Sequence, residues 1–198
     1  MKVGVLALQG DVSEHVSALA SAMRSLGISG SVVEVRRQPQ LEGLSALLMP
    51  GGESTTMAKQ MLRFGLTEPI AEFAKSGNPV MGTCAGAILL SSKIVDRKGP
   101  EEVRPLGLID ISVRRNAFGR QVDSFEKPLT VKGLDSDFPG IFIRAPRIEK
   151  IGKHVESLAT LNEEHVMVRE NNVMALTFHP ELAGDDRVHS MFLSMIKP

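Results

Sequence analysis

The chain has 198 residues, with Lys plus Arg and Asp plus Glu at 23 each and a formal net charge of zero. That balance offers no basic patch or stripe for nucleic acid or an anionic membrane, and no apolar run approaches the roughly 18 residues that a bilayer span needs. A single cysteine cannot form an internal disulfide, which suits a reducing cytoplasm, and residues 1–198 are expected to form one domain, burying roughly 70% of the unfolded surface.

Lys2 to Leu8 is a near-continuous apolar run, the pattern of a strand buried on both faces of a parallel sheet. Because the chain enters it at once, no signal peptide is expected. Ser13 to Leu26 carries Val16, Leu19, Ala20, Met23 and Leu26 at a helical period ended by Gly27. Ser31 to Val35, Leu44 to Met49 and Pro79 to Met81 read as further strands with helices between, one of them over Thr56 to Phe64. Right-handed crossovers stack such units into a doubly wound sheet. From Leu106 the pattern changes to short β-branched runs, Leu108 to Val113, Ile141 to Ile143, His165 to Val168 and Val173 to Phe178, which predict partly antiparallel strands extending that sheet. Asp185 to Ile196 predicts a closing helix with Val188, Met191, Phe192 and Met195 on one side. The ten Met residues fall mostly in apolar segments, where they fill core space.

Chemistry concentrates at three strand ends. Cys84 sits in Met81-Gly82-Thr83-Cys84-Ala85-Gly86-Ala87, between an apolar approach and an apolar helix-like stretch from Ala87 to Leu90. A nucleophile on a sharp strand-to-helix turn needs such small neighbours, and the helix N-terminus beneath it favours thiolate. Near the C-terminus, Val173 to Phe178 runs into His179-Pro180-Glu181. Residues i and i+2 of an extended chain share a side, so Glu181 can orient His179 as the base for Cys84. At the third strand end, Pro50-Gly51-Gly52-Glu53-Ser54-Thr55 leads into a helix that Ser54 or Thr55 would cap. The N–H of Gly52, with that of Ala85, is a candidate oxyanion hole. A phosphate-binding loop fails on spacing, since neither glycine signature occurs. One cysteine and five scattered histidines offer no recognisable metal spacing.

Gly82-Thr83-Cys84-Ala85-Gly86 with His179-Pro180-Glu181 resembles the triad of class I glutamine amidotransferases. Leu8-Gln9-Gly10, Pro50 to Met57, Arg115 to Glu126 and Phe142-Ile143-Arg144-Ala145-Pro146 narrow the resemblance to the glutaminase subunits of pyridoxal 5'-phosphate synthase. It implies a three-layer, doubly wound mixed α/β sheet with a nucleophile elbow, and hydrolysis of L-glutamine to glutamate and ammonia without a cofactor. Glutamine contacts are implied at Gly52, Glu53, Ser54, Arg115, Ile143 and Arg144. A separate (β/α)8 synthase subunit is the implied partner, in a large ring-shaped hetero-oligomer whose docking orders the oxyanion hole. Gln9, Gly10 and the helix after them, near Glu14 and His15, are the candidate contacts. The charged loop from Val95 to Pro105 departs from the pattern by its length. His15 itself reads as a solvated helix residue, and His154, His165 and His189 as structural. Two other readings remain open: a glutaminase of another pathway or a cysteine hydrolase of the DJ-1/PfpI kind, and a non-catalytic binding module.

Overall fold

A computed structural model describes residues 1–96, 103–115 and 124–197. The first half alternates strands and helices: β1 (Lys2–Leu6), α1 (Val12–Ser25), β2 (Ser31–Val35), β3 (Ala46–Met49), α2 (Ser54–Arg63), α3 (Thr67–Lys75), β4 (Val80–Thr83) and α4 (Ala85–Leu90). The second half is mostly strand: β5 (Ser91–Ile94), β6 (Ile109–Arg114), β7 (Phe125–Leu129), β8 (Phe138–Phe142), β9 (Arg147–Ile151), β10 (Glu156–Leu161), β11 (Glu164–Glu170) and β12 (Val173–Leu176), before the closing helix α5 (Arg187–Leu193).

The main sheet has the order β2-β1-β3-β4-β12-β11-β9-β6-β5, with β10 added on β11. The pairs from β2 to β12 are parallel, and β11 pairs antiparallel with β12, β9 and β10. The central strands are buried on both faces, and their alternation divides the core in two. On β3, Leu47 and Met49 face a cluster with Met57, Ile70 and Leu89 of α2, α3 and α4. Ala46 and Leu48 face the opposite cluster with Leu19 of α1, Phe138 of β8 and Phe192 of α5. Each large side chain buried there contributes about 1.5–3 kcal/mol. These are the expected three layers, with helices on both faces of a mixed sheet.

The helix ends follow local chemistry. Gly27 (φ 65°) and Gly65 (φ 63°) take the left-handed conformation after α1 and α2. In each case the next residue's N–H reaches back, Ile28 to the Met23 carbonyl and Leu66 to the Met61 carbonyl, both at 2.8 Å. The buried stripe of α1 is His15, Leu19, Ala22 and Met23, displaced from the predicted one, while Leu26 is exposed.

Several expectations need correction. Between β2 and β3 the chain forms only a 3-10 turn, Gln38–Leu41, because Gly43 and the short link leave no room for a helix. Of the run Ile141 to Ile143, Ile141 and Phe142 end β8, which pairs with β7 in a separate two-stranded sheet, and Ile143 lies beyond it. Strands β5, β7, β9 and β10 went unpredicted, for their solvent-facing charges, such as Arg147, Glu149 and Lys150 on β9, hide the apolar signal. Among the described residues, no helix is long and apolar enough to cross a membrane. Most of the Val95 to Pro105 loop lies outside the described residues, as do residues 116–123 of the Arg115 to Glu126 motif.

Candidate active site

The loops that follow β1, β3, β4 and β12 meet at the carboxyl edge of the parallel strands, where open α/β sheets bind ligands. Cys84 is the single residue between β4 and α4, with φ 48° and ψ −102°, a left-handed strain that a β-carbon resists. Gly82 and Gly86 make the turn possible. A β-carbon on Gly82 would lie 2.6 Å from the Gly86 backbone, and one on Gly86 would lie 2.1 Å from the Met49 carbonyl oxygen. The Cys84 N–H donates to the Leu176 carbonyl at 2.8 Å, which ties the elbow to β12. Three residues on, beyond the end of β12, the His179 N–H donates to the Ile141 carbonyl at 2.8 Å, so the segment leaving that strand also anchors the end of β8, just before Ile143 and Arg144.

His179 Nδ1 lies 2.7 Å from Glu181 Oε1. The pairing is the predicted one, but the backbone that makes it is not an extended strand. Pro180–Leu182 forms a 3-10 turn with proline in its first position, and this turn brings Glu181 back to the ring. The Glu181 side chain is fully buried. Burial is the largest influence on His179 and opposes its charge, but the interactions with Cys84 and Glu181 outweigh it and raise the imidazole to about 10. Nε2 of His179 is buried and makes no aligned hydrogen bond. The influence of Cys84 on the imidazole sets the thiol beside the ring, as in a nucleophile–base pair whose hydrogen bond tightens when substrate arrives. Burial raises the Glu181 carboxyl pKa, against the lowering effect of its bond to His179.

Cys84 and His179 open into a cavity of about 360 Å³. Of the residues predicted for glutamine or oxyanion binding, Gly52, Glu53, Ser54, Arg115, Ile143 and Arg144 all line it, as do Gln9 and Gly10. Ala85 opens α4, where a helix leaves its first N–H groups without intrahelical partners; the next one, of Gly86, donates to the Pro50 carbonyl at 3.2 Å. Gly52 has φ 145°, and a β-carbon there would lie 2.4 Å from the Gln9 side-chain oxygen. That oxygen accepts the Glu53 N–H at 2.7 Å, and the Asp11 N–H reaches the Gly51 carbonyl at 3.3 Å. The loop after β1 thus holds the loop after β3. Glu53, rather than Ser54 or Thr55, caps α2, its carboxylate accepting from the N–H groups of Thr55 at 2.9 Å and Thr56 at 2.7 Å. Desolvation works against its charge, but these bonds prevail and hold it down at about 2. The Arg115 N–H donates to Asp96 Oδ1 at 3.0 Å, and its Nε lies 3.5 Å from Oδ2. Arg144 is exposed at the cavity rim in a left-handed conformation, φ 44°.

A profile of the SNO glutamine amidotransferase family matches residues 5–198. The chain belongs to that family. Its relatives include a protein of Thermococcus gammatolerans named pyridoxal 5'-phosphate synthase subunit PdxT, 50% identical over 98% of both chains. A protein of the same name from Dehalococcoides mccartyi is 53% identical over 100% of this chain and 98% of the relative. A solved glutamine amidotransferase matches with a TM-score of 0.87 at 47% identity, covering 98% of each chain. The PurLQS structure from Thermotoga maritima, at 19% identity, shares the fold with a TM-score of 0.64 over 98% of this chain and 96% of that one. The fold is that of the class I glutamine amidotransferases.

Two residues of this glutamine amidotransferase were not foreseen at the site. His15 is not solvated: it is fully buried, with Nε2 3.2 Å from Glu181 Oε2 and 3.0 Å from Thr83 Oγ1. Its position four residues before Leu19, on the buried stripe of α1, was the available signal. Asp11 places Oδ2 3.5 Å from His179 Nδ1, a second carboxylate beside the imidazole. Asp11, His179 and Glu181 each bring one donor atom within 4.8 Å of the others, a spacing that a metal could use. The pairing of the ring with its carboxylates already accounts for the grouping. A larger groove of about 720 Å³ runs along α1 past Ser17 and Asp186, but neither Cys84 nor His179 opens into it.

Proposed function

We propose that Cys84, His179 and Glu181 act as a catalytic triad for glutamine hydrolysis. The Cys84 sulfur attacks the side-chain carboxamide carbon of glutamine, and the thiol proton resides on His179. The oxygen of the tetrahedral intermediate is held by the N–H groups of Gly52 and Ala85. His179 returns the proton to the nitrogen, the C–N bond breaks, and ammonia leaves a γ-glutamyl thioester. Water, deprotonated by His179, then attacks the thioester carbon, releasing glutamate and the thiol. Glu181 holds the imidazole in the required tautomer and stabilises its cation. Gly52, Glu53, Ser54, Arg115, Ile143 and Arg144 bind glutamine, with an arginine fork suited to the α-carboxylate.

The protein is a glutaminase that supplies ammonia for pyridoxal 5'-phosphate synthesis. Ammonia is lost to protonation and diffusion in water, so the enzyme works docked to a synthase subunit. We assign that partner as a (β/α)8 subunit in a ring-shaped hetero-oligomer, contacted through Gln9 and Gly10, with residues 1–198 acting as one glutaminase domain in the cytoplasm. A lone thiol used as nucleophile fits a reducing compartment. The observation that carries the reading is one cavity bearing Cys84 and His179 together with the glycine loop and both arginines.

The test is glutamate release from glutamine by the protein alone and mixed with a pyridoxal 5'-phosphate synthase subunit. Strong stimulation by the partner is expected, and 6-diazo-5-oxo-norleucine should label Cys84 alone. Full activity without partner would keep the glutaminase but remove the coupling, and inactivity in both mixtures would turn the assignment to another hydrolase or a binding module.

A further inference from the structure

Behind Glu181 lies a histidine pair that the triad chemistry leaves unused. His15 on α1 and His189 on α5 are both fully buried. His15 Nε2 stands 3.2 Å from Glu181 Oε2, with both side chains at 0% exposure, and 3.0 Å from Oγ1 of Thr83, the residue before the nucleophile. On the other side of the ring, Nδ1 meets His189 Nε2 at 3.1 Å.

With Glu181 ionised, as the orienting carboxylate of the triad must be, these contacts select one tautomer of each ring. A carboxylate oxygen at 3.2 Å then calls for the hydrogen on His15 Nε2, because a lone pair there would face another lone pair. Nδ1 is then an acceptor, so His189 donates from Nε2 and keeps Nδ1 bare. That nitrogen is buried without a hydrogen-bond partner, a position that an acceptor tolerates better than a donor. Glu181 Oε2 is likewise buried with no aligned partner. The His15 N–H points first at Thr83 and has the carboxylate beside it.

We infer that His15 is a positioning residue for the reaction: its neutral Nε2–H steadies the inner oxygen of Glu181, so that the outer oxygen stays charged and aimed at His179. His189 sets the tautomer that allows this. The inference rests on the triad reading above.

Electrostatics explains why a histidine suits this place. Burial pushes Glu181 towards the uncharged acid, which cannot stabilise an imidazolium. A lysine or arginine behind it would keep the charge but draw the carboxylate away from His179. His15 is held well below its ordinary value by burial first, then by repulsion from His189 and His179, so it donates without adding a competing cation. Among the described residues, Asp186 beyond His189 and Asp11 beyond Glu181 are the other charged groups that act on this chain of contacts.

Alkylation of Cys84 by iodoacetamide, followed on the chain alone from about pH 6 to 10, reads the triad without substrate, and His179→Asn sets its scale. Glutamine's amide nitrogen reaches as far as imidazole Nε2 and asparagine's only as far as Nδ1. His15→Gln therefore keeps the Glu181 contact and His15→Asn loses it. His15→Asn should slow alkylation about tenfold near neutral pH and recover at high pH, while His15→Gln stays within about threefold of the parent. Glutamine turnover in the mixture with the synthase subunit should follow the same ranking in kcat, with KM unchanged. Equal rates for the two His15 variants, with His179→Asn slowed, would overturn the role of His15 alone, and an unslowed His179→Asn would overturn the triad beneath it. If His15→Asn loses its thermal unfolding transition, His189→Leu carries the test: release of the tautomer should slow neutral alkylation several-fold, and a parental rate overturns the inference.

Discussion

The two sides of Glu181 hold the same kind of side chain in opposite states. On the cavity side, His179 meets Oε1 at 2.7 Å and is raised to about 10. On the inner side, His189 has no such partner and is lowered to about 4, and His15, with Oε2 beside but not aligned to it, is also lowered. All three rings are buried. Burial alone therefore makes a neutral imidazole, and an aligned carboxylate together with the cysteine reverses it. One carboxylate serves a charged ring through one oxygen and a neutral ring through the other.

Removing the reactive side should have the largest effect. Cys84→Ala should abolish glutamate release while circular dichroism and thermal unfolding stay unchanged, and substantial residual turnover would remove the covalent route. His179→Asn should cost about 10³-fold or more in kcat, and Glu181→Gln about 10²-fold, because the amide misorients the base without deleting it. If both variants kept parental rates, the contrast between the two sides of Glu181 would have no catalytic meaning.

A smaller and more specific effect is expected in the pH profile. The proton that His179 passes to the departing ammonia should remain bound well above the ordinary histidine value of 6.5 and be lost only as pH approaches about 10. Glutaminase activity of the complex should therefore persist through neutral pH and fall on the alkaline side. Glu181→Gln should bring that alkaline limb to lower pH. A limb that stays in place would mean that Glu181 does not set the imidazole charge.

Much of the cavity side was legible in the sequence. Small residues around Cys84, apolar flanks and the His179-Pro180-Glu181 tripeptide are local signals, and the parallel strands that bring them together are apolar runs. The inner side was much less so. His15 belongs to the buried stripe of α1, yet a polar residue between Glu14 and Val16 reads as surface until Thr83, Glu181 and His189 are seen to converge on it. That convergence joins α1, β4, the turn after β12 and α5, a relation that no local pattern carries. The same limit hid β9, whose alternation of Ile148 with charged neighbours is weak without its partners on β6 and β11. The cap of α2 failed for another reason. Glu53 lies just before the helix, and the hydroxyl residues that follow it, usually stronger capping signals, sit inside the first turn.

The smallest effect concerns stability, where the two kinds of histidine should act at opposite ends of the pH range. His179 is raised when folded, so its contribution is fully present below the unfolded value of 6.5 and is lost as pH rises towards about 10. His189 is lowered when folded, so the unfolded chain binds its proton first, and stability should fall as pH drops from 6.5 towards about 4. His15 works in the same direction as His189, while the raised carboxyl of Glu181 opposes them both. The informative quantity is therefore a difference between two chains. His189→Phe should flatten the acid limb by up to one proton, about 1.4 kcal/mol per pH unit, and leave the alkaline limb set by His179 unchanged. Urea unfolding at closely spaced pH values measures both limbs. An acid slope identical to the parent's would show that His189 titrates normally in the fold and that burial does not divide the inner histidines from the outer one.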